Sequence, residues 1–534
     1  MRILHLSSTD TVGGAARAAY RLHRSLIDSG IESSMLVGKK FSDDIEVTEC
    51  SRPPGFAPTW GGIVQKQYIN PRRSSDWNTH FSLAWPGQDL SGHPLVMGAD
   101  IIHLHWLWDF QSAATLARLM NLGKPIVWSF HDQRAMTGGC HFSAGCRGYE
   151  DDCRDCPQLS TDPAGITAAA HADQLRFWWR DAVTVVGPSR WMAECAQRSS
   201  IWRGSRIEVI PYSVETDRYR PQDKLKCRRR LGLPEHARYV LFGADHGQEI
   251  RKGFRGLMRA LELCHNDPWF SKHLRDGRIA FICFGNPGPD AASCPVPIHS
   301  LGYLREDEDL AAAYGAADLF MLPSLEDNLP NTVLESMSCG TPVMALDAGG
   351  ARDMVLEGHT GWLIPPADDR QLADALLRVL KNPGIAAGMS DACRDRVAKS
   401  FSPDLQASRF GALYSDLLRH PPAVESAIGI ADPEVPVQVD MGSKSRLAMI
   451  EVFKLIVTEQ SAKPQQSKSK QGQQLRFRQQ LKLELNRVGT YAELLAGLER
   501  SFLESRKKPS RLGRIRQALM RQIKKTIGQG VEGP

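Results

Sequence analysis

The sequence predicts an α/β protein of two Rossmann-like domains facing a cleft, followed by a helical basic C-terminal extension. Three observations carry this. Apolar runs of strand length alternate with stretches of helical spacing, the pattern of a parallel sheet covered by helices. The alternation pauses at 208–221 (EVIPYSVETDRYRP), whose two prolines suit an interdomain linker, and then resumes. Charge divides the chain as well: residues 421–534 hold 20 Lys and Arg against 11 Asp and Glu, while residues 1–420 hold 46 against 49. The basicity therefore belongs to an appendage. At 534 residues, with 24% charged and 42% hydrophobic residues, the chain is ordinary globular material for two to four domains. Wholesale disorder, collagen and a small disulfide scaffold are excluded. So is a membrane-spanning helix, since no apolar run reaches about 18 residues.

Residues 2–7 read as the first strand, too short to be a signal peptide. A turn at Gly13-Gly14 opens a helix over 15–29, and 31–37 is the next strand. Runs at 100–106 (DIIHLHW), 125–130 (PIVWSF) and 182–186 (AVTVV) complete the first set. The second set is 239–243, 279–285, 319–322, 342–346 and 361–364. The expected domains are 1–212 and 213–395, followed by a helical region over 396–419 and a partly flexible extension over 420–534. Within the extension, 444–458 suits an apolar helix and 460–474 is low-complexity linker. Helical spacing returns over 475–504. Leu512, Ile515, Leu519, Ile523 and Ile527 form one apolar stripe in a segment that is basic from Arg506 to Lys525 and contains no acid. Such a helix suits an anionic lipid surface. Nothing beyond charge points to nucleic acid. A cytosolic chain is the default, and its twelve cysteines are then thiols or metal ligands.

The strongest local signal is 323–350, PSLEDNLPNTVLESMSCGTPVMALDAGG. A helix starting near Pro330 presents free N–H groups and a partial positive charge, an end that holds a diphosphate. Glu335, about one turn in, suits a ribose diol, and Asp327 suits a sugar hydroxyl. The backbone N–H groups of Asn328 and Leu329 serve the same sugar. Arg251-Lys252-Gly253 follows the strand at 239–243, where an Arg-Lys pair by itself is usually a solvated surface charge. Gly13 and Gly14 allow close approach of a ligand to backbone. His131 and Asp132 end the 125–130 strand, where ligands of open α/β sheets sit. Ser189 suits a helix cap.

These motifs resemble the family 4 glycosyltransferases, retaining enzymes of the GT-B fold, marked by two glutamates with seven residues between them in a run like P-S-x-x-E-G-x-P-x-x-x-x-E-A-x-x-x-G-x-P-V. The resemblance covers roughly residues 1–418. Asp327 stands where the first Glu is usual, with Glu326 just before it. The resemblance implies transfer of a sugar from a UDP- or GDP-linked donor to a glycan hydroxyl. The departing phosphate takes the acceptor proton, and no cofactor is required. It implies that Asp327, Glu335 and His131 are catalytic, and that Gly13, Gly14, Arg251, Lys252, Asn328 and Leu329 join Glu335 around the donor. It places His131 beside the transferred sugar with Asp132 orienting it, and gives Ser189 a lesser place. The stretch HDQRAMTGGCHFSAGCRGYEDDCRDCPQL resembles a subgroup serving colanic acid and related bacterial exopolysaccharides, with Arg134 in place of a usual Trp. The resemblance implies that 1–212 binds the acceptor, a lipid-linked glycan, that 213–395 binds the donor, that 396–419 crosses back to the first domain, and that the enzyme is cytoplasmic at the inner face of the plasma membrane; the basic stripe of 506–527, outside the resemblance, suits the membrane contact.

In that stretch, Cys140, Cys146, Cys153 and Cys156 lie within seventeen residues. Four thiolates suit a closed structural zinc site; redox-labile pairs and plain thiols are the other readings. Asp307-Glu308-Asp309 matches a metal-binding DxD only formally, and reads as the acidic first turn of a surface helix. Two rival functions stand beside transfer. One is a glycan phosphorylase, which shares the fold. The other is a catalytically inactive scaffold that binds a partner through its extension.

Overall fold

A computed structural model describes residues 1–421 apart from 51–63, 76–78, 84–86, 109, 245–246, 289 and 367, together with 444, 445, 448, 451, 452 and 455. The predicted helices at 475–504 and 506–527 and the linker at 460–474 lie outside the described residues, and 444–458 is described only in part.

Two parallel sheets form. The first contains β1 (Arg2–Thr9), β2 (Glu32–Lys39), β3 (Val47–Glu49), β4 (Ile101–Leu104), β5 (Ile126–Ser129), β6 (Val183–Gly187) and β7 (Ile207–Val209), in the order β3-β2-β1-β4-β5-β6-β7. The second contains β8 (Arg238–Ala244), β9 (Ile279–Gly285), β10 (Ile298–Gly302), β11 (Leu319–Leu322), β12 (Val343–Leu346) and β13 (Gly361–Ile364), in the order β10-β9-β8-β11-β12-β13. In each sheet the order reverses beside the first strand, β1 or β8. Ligands of open α/β sheets bind at such reversals, at the carboxyl ends of the strands.

The inner strands are apolar because parallel sheets bury both faces. β4, β5, β6, β11 and β12 are buried along their whole length. The three strands absent from the sequence prediction, β3, β7 and β10, all include edges of these sheets and are partly exposed. An edge strand covers less core, so its sequence (VTE, IEV, IHSLG) carries little apolar signal. β7 also claims the start of the predicted linker, which therefore begins after Val209.

The helices that shape the cleft are α1 (Gly14–Asp28), α2 (Ile166–Phe177), α3 (Arg190–Arg198), α4 (Phe254–His265), α5 (Asp307–Ala316), α6 (Asn331–Ser338), α7 (Ser390–Ser400) and α8 (Pro403–Arg419). α1 buries Ala19, Leu22 and Leu26, one face at helical spacing. α7 packs on α6 and buries Cys393 and Val397 in the core of the second domain. The expected boundary at 396 thus falls inside α7. The chain crosses back at Phe401 and Ser402, where the Ser402 hydroxyl caps α8. α8 then packs on α1, with Phe410, Leu413 and Tyr414 against Ile3, Ile101 and Val127 of the first sheet. The backbone N–H groups of Lys444 and Ser445 donate to Asp173 of α2 at 2.7 and 2.8 Å. Ala448 and Val452 pack with Val64, Tyr68 and Ile166, so the extension returns to the first domain. No described helix is long and apolar enough to cross a membrane.

The Tyr414 hydroxyl lies 2.7 Å from His103 Nδ1, whose Nε2 lies 2.9 Å from the Ser129 hydroxyl. All three are buried. Tyr414→Phe strands one imidazole nitrogen and is expected to cost about 1–3 kcal/mol. Urea unfolding measures it, and an unchanged midpoint would show that the bond contributes nothing.

Candidate active site

The loop from Pro323 to Pro330 joins β11 to α6 and lies between the two sheets. Its residues face alternately toward the two domains. Lys252 Nζ is 2.7 Å from Asp327 Oδ2, and Arg251 Nη1 is 3.5 Å from Oδ1. Burial works against the Asp327 carboxylate, but Lys252 and Arg251 outweigh it and hold its pKa below the usual range. Burial and then Arg251 lower the Lys252 pKa. Glycine makes this close approach possible: at Gly253, with φ of +71°, an added Cβ would lie 1.7 Å from the Pro323 carbonyl oxygen.

The neighbouring side chains reach the other domain. Asn328 Nδ2 donates to the carbonyls of Phe130 at 2.8 Å and His131 at 3.1 Å. Its Oδ1 accepts from the Ser189 hydroxyl at 2.7 Å, while Ser189 Oγ caps α3 by accepting from Met192. Glu326 accepts from the Ala144 N–H at 2.7 Å and from the Ser143 hydroxyl at 3.3 Å. The Arg251 guanidinium lies 4.0 Å from the Phe142 ring centroid. Leu329 is buried beneath the loop. Asn331 Nδ2 donates to the Gly14 carbonyl at 3.1 Å, bringing the start of α6 to the glycine turn. Gly13 has φ of +94°, and nothing lies within 4 Å of where its Cβ would be. The turn faces open space.

Glu335 is buried one turn into α6. Its Oε1 accepts from Arg21 of α1 at 2.9 Å and its Oε2 from the Tyr314 hydroxyl at 3.1 Å. Arg21 also pairs with Glu215 at 2.7 Å. The carboxylate expected to meet a ribose is thus held across the cleft by the first domain. Asp307 opens α5 as expected, and its oxygens accept from Arg17, Arg218 and Tyr219. It joins the domains, and the helix it opens is buried from Leu310 to Ala316 rather than lying on the surface as expected.

His131 is oriented by a row of aromatic side chains. Its Nδ1 lies 2.6 Å from the Tyr212 hydroxyl and its Nε2 2.9 Å from His105 Nδ1. His105 Nε2 lies 2.9 Å from His5 Nδ1. Burial lowers His131 to about 4, so its ring is neutral. Asp132 does not orient His131, contrary to expectation. It accepts from His141 Nδ1 at 2.6 Å, Trp106 Nε1 at 2.9 Å and the Arg134 N–H at 2.9 Å. The row was legible in part: His103 of β4 and His105, just past its end, are two apart, and His5 is paired with His103 in register. Arg21, Tyr314 and Glu326 carried no such signal, because their partners lie in the other domain or far along the chain.

Cys140, Cys146, Cys153 and Cys156 line one small cavity. Burial, then Cys156 and Cys153, push the Cys140 thiol up.

Two Rossmann-like domains joined by a crossover helix, with their switch points facing across a donor-type loop, define the GT-B class of glycosyltransferase. Residues 12–218 match the family model described as Glycosyltransferase Family 4, and residues 237–382 match Glycosyl transferases group 1; the chain belongs to this family of enzymes. It is 32% identical over 225 residues to a D-inositol 3-phosphate glycosyltransferase of Thermobispora bispora, covering 40% of this chain and 51% of that one. The match therefore spans about half of that relative's length. It is 24% identical over 409 residues to the Escherichia coli (strain K12) colanic acid biosynthesis glycosyl transferase WcaC, covering 72% and 91%. Among solved structures, a sucrose-phosphate synthase from Thermosynechococcus elongatus superposes with a TM-score of 0.54 at 20% identity, covering 79% and 100%. Anabaena HepE in complex with UDP and glucose superposes with a TM-score of 0.50 at 18% identity, covering 78% and 100%.

Two stability measurements probe the site. Glu335→Ala leaves Arg21 buried with one partner fewer and is expected to cost about 3–5 kcal/mol; Glu335→Gln, which keeps a hydrogen-bonding side chain, costs less. Equal losses in the two variants would show that the ion pair is not formed. Burial also holds His131, His23 and His171 down at about 4, against an ordinary value of 6.5. Between those values the unfolded chain binds protons that the folded chain does not. Stability is therefore complete above pH 6.5 and falls as pH drops toward 4, by about 1.4 kcal/mol per pH unit for each histidine. Urea midpoints at pH 7, 6 and 5 check this, and a flat profile refutes it.

Proposed function

We propose that the chain transfers a hexose from a UDP- or GDP-linked donor to a hydroxyl of a lipid-linked glycan, with retention at the anomeric carbon. The observation that carries the reading is the convergence of Lys252 and Arg251 on Asp327, opposite the His131 carbonyl. The acceptor oxygen bonds to the anomeric carbon as the bond from that carbon to the β-phosphate oxygen breaks. The acceptor proton passes to that departing oxygen on the same face, giving a glycoside and a nucleoside diphosphate. Lys252 and Arg251 stabilise the charge that develops on the leaving oxygen. Asp327 and the Asn328 and Leu329 N–H groups hold the sugar. Glu335 takes the ribose in exchange for its bond to Arg21. His131 serves through its carbonyl, since both ring nitrogens are engaged and the ring is neutral. No enzymic base is needed.

The UDP- and glucose-bound neighbour supports a nucleotide-sugar donor. The name of the Escherichia coli relative supports an acceptor in exopolysaccharide assembly. Such an acceptor places the enzyme in the cytoplasm at the inner membrane surface, with 506–527 as the contact. The same chemistry requires no cofactor.

Lys252→Ala is expected to lower kcat by roughly 10²–10³-fold, and Glu335→Gln to raise KM for the donor. Ligand-observed NMR with UDP- and GDP-hexoses, with NAD as control, identifies the donor first. A folded chain that binds none of them would end this reading.

A further inference from the structure

The loop over 140–156 is built unlike the rest of the molecule. Among the described residues, the only non-glycine residues with left-handed backbone are Ala144, Cys153 and Asp155, with φ of 54° to 55°. All three lie in this loop. Such conformations persist only where something over-determines them. The four sulfurs face one cavity, and they are provided with backbone donors: the Gly148 N–H donates to Cys146 Sγ at 3.3 Å, and the Gly138 N–H to Cys153 Sγ at 3.2 Å. Donors of this kind stabilise charge on sulfur. Beside them the Arg134 guanidinium is fully buried, donates to the Ser82 and Thr137 carbonyls, and makes no ion pair among the described residues. Its Nη2 has no partner. A buried cation calls for a nearby negative charge.

We propose that Cys140, Cys146, Cys153 and Cys156 bind a structural zinc ion as a tetrathiolate, which fixes the 140–156 loop against the second domain. Four thiol protons leave to solvent, four zinc–sulfur bonds form, and no electron moves. The site has a net charge of −2, half of which the Arg134 guanidinium offsets. Bonds of about 2.3 Å draw the sulfurs inward, since they do not stand as a trio within 4.8 Å of one another. His5, His103 and His105 do stand that close. Their nitrogens are already spent on one another and on His131, Tyr414 and Ser129, leaving only His5 Nε2. The cysteines are therefore the better ligands. The loop so held carries Phe142 under Arg251 and the Ser143 and Ala144 donors to Glu326. The metal thus sets the first domain's side of the cleft.

The test uses the full chain, purified reduced and without a polyhistidine tag. Elemental analysis is expected to find about one zinc per chain, lost in Cys153→Ser. If that variant fails to fold, cobalt replaces zinc in the unaltered chain and gives a thiolate-to-cobalt absorption band. A second readout is trypsin, which cleaves after Arg147 and Arg154 only once a chelator has removed the metal. Absence of zinc together with no cobalt–thiolate band overturns the proposal. So does zinc retained in a folded Cys153→Ser, Cys156→Ser variant, which moves the metal to the histidines. None of these readouts depends on sugar transfer, so a failure here and a failure of the functional reading are distinguishable.

Discussion

The amide of Asn328 holds the site together. One buried side chain uses both Nδ2 protons on carbonyls of the first domain and its Oδ1 on the Ser189 hydroxyl. A loop pinned at that point has no freedom to slip. The residue before it, Asp327, must then face the cations of the second domain, and Glu326 must face the cysteine loop. Glycines permit the arrangement. At Gly349 an added Cβ would lie 1.9 Å from the Asp327 carbonyl oxygen, and at Gly350 it would lie 1.7 Å from that of Asn328. Freeing the Asn328 amide would leave several buried groups unpaired at about 1–3 kcal/mol each. The closure seen here is therefore a specific state rather than a loose contact.

Charge across the cleft supports that closure in a different way. Helix α1 sends Arg21 to Glu335 and Arg17 to Asp307. Buried pairs of this sort contribute little net stability, because each ion loses its water. What they supply is orientation: a partly closed cleft strands a buried charge, so intermediate openings are disfavoured. In the proposed reading the pairs also couple closure to the donor: a ribose taking a share of Glu335 would loosen Arg21, and Glu215 would remain to hold the guanidinium. The exchange leaves no charge without a partner.

What the sequence disclosed follows the same physics. Strands buried on both faces announced themselves, and β9, β11 and β12 lie where the apolar runs placed them. The edge strands β3, β7 and β10 did not, because sequences such as VTE and IEV have no face that must be apolar, whereas the edge strand β13 is mostly buried and was legible. At the site, residues fixed by local backbone needs were legible: the helix start at Pro330, the Lys252-Gly253 turn, the strand end at His131. Their partners were not. Arg21 meets Glu335 across 314 positions of sequence, and Glu326 meets Ser143 across 183. No spacing rule connects such pairs. Asp132 shows the opposite error. Adjacency suggested that it orients His131, but successive residues beyond a strand end point apart, and Asp132 turns to His141 and Trp106.

In the proposed transfer the His131 ring stays idle, and the histidine row accounts for that. Each neutral imidazole has one proton, so the row from Tyr212 through His131 and His105 to His5 has a single polarity at a time. If the Tyr212 hydroxyl donates, every Nε2 in the row holds the proton, and His5 ends with a buried N–H. If it accepts, every Nδ1 holds the proton, and His5 ends with a bare nitrogen. A charge on any ring is opposed by burial throughout, and at His105 also by His103, His5 and His131. Adding a proton at His131 would therefore work against the whole row. A ring so constrained makes a poor base and a good positioning device. It fixes the end of β5, and with it the carbonyl to which Asn328 donates.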